Sequence, residues 1–141
     1  MTEEFSPVVD ITDPLQNKNY VQKIVHLRNF LNEDLDDFRR NNSGAVTIIS
    51  RVYKDENRKP VALEYAVAFA SPKEQFSRKF GVELATQRLQ NKDEVYSSRM
   101  RMINSYYNND IILMSIISDI LRNMEYPKHA RNLLLEKFIS F

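Results

Sequence analysis

Two stretches of the chain, Ala45 to Tyr53 and Val61 to Ala70, are rich in β-branched and aromatic residues and alternate in character. The polar run Lys54-Asp55-Glu56-Asn57-Arg58-Lys59-Pro60 joins them. Such side chains suit a pleated, half-buried surface, and a polar connection between two runs of this kind predicts a β-hairpin. Along the second run Val61, Leu63, Tyr65, Val67 and Phe69 point one way, and Ala62, Glu64, Ala66, Ala68 and Ala70 the other. The large face is expected to pack on helices. The small face admits close approach by another backbone, a subunit or a planar ligand.

Ser71-Pro72-Lys73-Glu74 follows at once. It combines an N-cap serine, a proline at the first helical position and a glutamate at the third, the capping-box pattern, and predicts a helix from Ser71 onward. Phe76, Phe80 and Leu84 line one face of that helix and Val82 and Leu89 another. Gly81 sits in its middle, at a cost of about 1 kcal/mol relative to alanine, which implies close approach there.

On either side the reading is helical. Tyr20, Ile24, Leu27, Leu31 and Phe38, widened by Val21, Val25 and Leu35, predict a long amphipathic helix from about Asn17 to Arg40. Arg39 and Arg40 lie in its last turn, and Asn41-Asn42-Ser43-Gly44 forms a left-handed stop. From Asp93 the set Tyr96, Met100, Ile103 and Tyr107 predicts a further helix, although the alternation Arg99-Met100-Arg101-Met102 would also suit an edge strand. Asn108-Asn109-Asp110 caps a helix over Ile111 to Met124 that is apolar nearly all round, central or at a subunit interface, and Pro127 opens a last one. The expected fold is therefore α+β. A β-hairpin or small antiparallel sheet packs against a long N-terminal helix and three to four C-terminal helices. Residues 1–16 form a flexible acidic tail and 17–141 a single domain.

Composition limits the function. With 141 residues and 43% hydrophobic content the chain can build one core. It has no cysteine, which excludes disulfides, cysteine metal sites and a cysteine nucleophile. The N-terminus shows no secretory pattern and the run Ile111 to Leu121 is too short and too interrupted to span a bilayer, so the expectation is a cytoplasmic protein without a membrane contact. Net charge is only +1, which argues against a protein that chiefly neutralises a nucleic-acid backbone. The charge is uneven, with −3 over residues 1–40 and +4 over the remainder.

His26 and His129 are far apart and lack metal-ligand spacing, so each reads as a helix-surface or interface residue. No Gly-rich phosphate loop or H-E-x-x-H motif is present. Glu33, Asp34, Asp36 and Asp37 read as a solvated face, with docking of a basic partner as their alternative use. No catalytic residue, metal or cofactor is assigned. Two binding candidates stand out. The first is the helix start at Ser71 with Lys73, Gln75, Arg78 and Lys79, where free N–H groups and the positive dipole end favour an anion, unless the capping box already satisfies those donors. The second is the mixture Tyr96, Arg99, Arg101, Tyr106 and Tyr107, with Arg88 brought near. Arginine pairs bidentately with phosphate and tyrosine offers a stacking face. The alternative is an ordinary amphipathic helix with its arginines outward.

A hairpin running into Ala70-Ser71-Pro72-Lys73-Glu74-Gln75-Phe76-Ser77-Arg78-Lys79-Phe80-Gly81, then Leu84-Ala85 and Arg88-Leu89, resembles small bacteriophage-encoded proteins, and among them is similar to the anti-Thoeris sponges. The match covers Gly44 to Leu89, about a third of the chain. The resemblance implies a non-catalytic anti-defence protein in the host cytoplasm that sequesters a cyclic or ADP-ribose-type nucleotide without cleaving it. It also implies a homo-oligomer with pockets of aromatic and arginine side chains at subunit boundaries. Two rival readings remain: an inhibitor or adaptor acting by contact with a host protein, and a nucleic-acid-binding accessory factor.

Overall fold

Strand β2, Ala45–Lys54, and strand β3, Pro60–Ala70, form the central hairpin, with Val46 opposite Phe69 and Arg51 opposite Glu64. In this computed structural model residues 19–28, 44–71, 77–102 and 108–141 are described. Asp55 closes the turn. Its carboxylate accepts from the backbone N–H of Asn57 at 2.8 Å and of Lys59 at 2.9 Å, while Arg58 takes a left-handed φ of 66°. A short acidic side chain bonding its own backbone two residues on is what makes aspartate a turn former.

Strand β1, Tyr20–Arg28, lies antiparallel along the other side of β2, with Tyr20 opposite Tyr53 and Arg28 opposite Ala45. This overturns the long N-terminal helix. Tyr20, Ile24 and Leu27 have helical spacing, but Val21, Val25 and Leu27 also fit a period of two, and the edge of β2 supplies hydrogen-bond partners along all nine residues. The rest of the expected helix, with Glu33 to Asp37 and Arg39-Arg40, lies outside the described residues, as do the tail 1–16 and Asn41 to Ser43. His26 is accordingly a strand residue.

Strand β4, Ser97–Arg101, adds to β3, with Glu64 opposite Arg99 and Ala66 opposite Ser97, so the sheet order is β1-β2-β3-β4. The helix expected from Asp93 onward is therefore corrected to a strand over these residues, and the Arg99 to Met102 alternation was the truer signal. Asp93 sets it up by accepting from the N–H groups of Val95 and Tyr96, both at 2.8 Å. Those two donors hold its carboxyl below the usual range.

Between β3 and β4, helix α1 runs Arg78–Gln90 across one face of the sheet. Its cap is Ser77, whose hydroxyl accepts from the Phe80 N–H at 3.2 Å. The helix thus starts seven residues after Ser71, and Pro72 to Phe76 lie outside the described residues. Gly81, Ala85 and Leu89 are its buried positions, and Ala85 and Leu89 pack on Ile49, Ala66 and Ala68. The partner admitted by the alanine face of β3 is this helix of the same chain.

The opposite face carries helix α2, Asn109–Asn123, and helix α3, Lys128–Ile139. Asn108 caps α2 by accepting from the Ile111 N–H at 2.8 Å. Ile112, Ile116, Ile117 and Ile120 of α2 and Ala130, Leu133 and Leu134 of α3 close over Val46, Ile48, Leu63, Tyr65 and Val67 to form the main core. The architecture is thus a four-stranded antiparallel sheet with three described helices of 13, 15 and 12 residues, α+β in class but without the helix-dominated arrangement expected. No described helix is long and apolar enough to cross a membrane.

Candidate functional site

Alternation along the strands places Gln22 of β1, Arg51 of β2, Glu64 of β3 and Arg99 of β4 on the α1 side of the sheet. The register aligns them as one transverse row. The row lies one same-face position beyond Ile49 and Ala66, where α1 packs. Arg51 is only 9% exposed and Glu64 only 5%. Charged groups so deep are found where they are paired or where function needs them, because desolvation opposes the charged form.

Glu64 is the hub. Its Oε1 accepts from the Tyr53 hydroxyl at 2.8 Å and its Oε2 forms an ion pair with Arg99. Arg51 donates from Nε to Gln22 Oε1 at 2.9 Å, and its guanidinium carbon lies 4.8 Å from the centroid of the Tyr20 ring. Tyr20 in turn rests against Tyr53, with ring centroids 5.3 Å apart. Of the two guanidinium groups in the row only that of Arg99 pairs with the Glu64 carboxylate, and Arg51 forms no ion pair with a described residue. The Nε of Arg99 is also buried without a hydrogen-bond partner. The surplus is positive and donor-rich, with an aromatic ring beside it. Tyr53 feels both signs: burial and then Glu64 push its hydroxyl up to about 12, while Arg51 pulls it the other way.

The residues expected from sequence are distributed differently. Arg99 joins this row, and Arg101, opposite Ala62, stands at the next same-face position of β4. Arg88 and Tyr96 do come together, with the guanidinium carbon 4.3 Å from the ring centroid, but Arg88 also donates to the Val67 carbonyl at 2.8 Å. That stack ties α1 to the sheet. Arg78 and Lys79 are the exposed first residues of α1, and Ser71 follows the end of β3. Lys73, Gln75, Tyr106 and Tyr107 lie outside the described residues.

Among the described members of the two basic clusters, Arg78 and Arg88 are ten residues apart on α1, about 15 Å along its axis. What Arg78 does approach is β1. Burial, then Arg78, then Arg28 hold His26 below its ordinary value, and its Nδ1 lies 3.0 Å from Thr47 Oγ1. Among the described residues no three His, Asp or Glu side chains gather as a metal site requires.

Arg51, Glu64, Tyr53 and Tyr20 were not singled out from sequence. The available signal was a charge in the middle of each hairpin strand, Arg51 in Ile48 to Tyr53 and Glu64 in Val61 to Phe69. No protein family, curated protein or solved structure matches the chain.

Proposed function

We propose that the chain is a non-catalytic binding protein, phage-encoded, that sequesters a phosphate-bearing signalling nucleotide. The phosphate is held at the Arg51–Arg99 row, and Tyr20 offers a stacking face for the base. The observation that carries this reading is the surplus arginine: Arg99 takes Glu64, and Arg51, nine-tenths buried, is left without an ion pair among the described residues. One anionic group placed beside it would balance the row, and arginine's planar fork matches phosphate geometry. The nucleotide class and the anti-defence role come from the sponge resemblance of Gly44 to Leu89.

The test is a thermal-shift screen against cyclic mono-, di- and trinucleotides and ADP-ribose derivatives. A ligand at 1,000 times its dissociation constant stabilises by about 4 kcal/mol. The ligand should be recovered intact after denaturation, and Arg51→Met should weaken it at least about tenfold, roughly 1.4 kcal/mol. Recovery of a cleaved product would exclude the sponge reading.

A second reading, an inhibitor or adaptor acting by protein contact, is favoured by the end of α3, where Ile139 is 76% exposed and Phe141 is also exposed. Its signature is a copurifying host protein lost on Ile139→Glu, with no small-molecule shift.

A further inference from the structure

On the face of the sheet opposite α1, the first half of α2 stands away from β1 and β2 and leaves a groove of about 340 Å3. This lies within the range of roughly 300–1,000 Å3 of small-molecule sites. Val21 and Val25 of β1, Ile48 and Val52 of β2, and Ile112 and Ile116 of α2 form its walls. No aromatic ring lines it among the described residues. What the aliphatic part of these walls accepts is an alkyl chain, whose burial removes apolar surface from water.

The polar groups of the groove are as specific as its walls. Lys23, opposite Ser50 in the register, and Lys54, at the end of β2, both line it, as does Asp110 in the first turn of α2. Neither lysine forms an ion pair with a described residue. Among the described residues two ammonium groups against one carboxylate leave a single net positive charge on a cleft whose other polar side chains, Ser50 and Asn109, are neutral.

We propose that this groove binds a monoanionic amphiphile, a free medium-chain fatty acid, with its carboxylate over Val21 between the two lysines and its chain along Val25 and Leu113. The site is on the other side of the sheet from the Arg51 row, so the two proposals stand or fall separately. Lysine stems can lie along the apolar walls while their ammonium groups reach the rim, which suits a head group held at the mouth.

Calorimetric titration with sodium decanoate, below its micellar concentration, tests the site, with decanol as the uncharged chain of equal length. Decanoate should bind one per chain and at least tenfold more tightly than decanol. Lys23→Glu combined with Lys54→Glu should abolish that preference and leave decanol binding unchanged. Val21→Trp fills the groove from an edge position that is 42% exposed, and should block both ligands without lowering the melting temperature. Absence of decanoate binding, equal affinity for decanol, or undiminished binding to Val21→Trp would overturn the proposal. A dimer that dissociates in Val21→Trp, without decanoate binding, would instead assign the groove to a second copy of the chain.

Discussion

Gly81 of α1 lies directly over Thr47 of β2: a Cβ at residue 81 would fall 2.5 Å from the Thr47 hydroxyl oxygen. Thr47 is itself buried and engaged with His26, so it has little room to move. In a free helix Gly→Ala would gain about 1 kcal/mol. Here Gly81→Ala should instead destabilise by about 2 kcal/mol in urea unfolding, as overpacking does. Thr47→Ala in the same chain should return part of that loss. Additive effects of the two substitutions would contradict the contact.

Alkaline titration should reveal the buried tyrosines. Tyr53 is raised to about 12 by burial and by Glu64, and Tyr65 is raised by burial and by its hydrogen bond to Asp119. The folded values exceed the unfolded value of 10.0, so between the two the unfolded chain has released protons that the fold retains. Stability contributed by these groups is complete below pH 10 and is lost as pH rises toward 12. Ultraviolet titration at 295 nm should show the two phenols ionising only with unfolding, and Glu64→Gln should bring Tyr53 down.

His26 gives the opposite window. Its folded value lies below 6.5 because burial, Arg78 and Arg28 disfavour the imidazolium. As pH falls through 6.5 the unfolded chain takes up a proton before the folded one does, so this contribution to stability is lost on acidification. An NMR titration of the His26 ring should report the depressed value, and Arg78→Gln should move it back toward 6.5. A His26 that titrates unchanged in that variant would remove Arg78 from its surroundings.

Arg88 is expected to matter for stability and not for the ligand. Arg88→Met removes the hydrogen bond to the Val67 carbonyl and the stack on Tyr96, and should cost about 2 kcal/mol in chemical unfolding. Nucleotide affinity should change less than twofold, in contrast to Arg51→Met. A selective loss of binding in Arg88→Met would return the site to the α1–Tyr96 corner.

Much of the architecture was legible locally. The hairpin from Ala45 to Ala70 was visible from alternation and from the polar connection Lys54 to Pro60 because both act between near neighbours. α2 and α3 were visible from Asn108, Pro127 and their apolar positions. Gly81 announced a close approach, and the small face of β3 announced a partner, before either could be named. Tertiary structure decided the rest. Tyr20–Arg28 and Ser97–Arg101 carry patterns compatible with helix or strand, and what selects the strand is the hydrogen-bonding edge of β2 or β3, supplied by residues 17 to 39 positions away. The charged row has the same origin: Gln22, Arg51, Glu64 and Arg99 are unremarkable singly, and become one electrostatic unit only because strand register places them side by side across four strands.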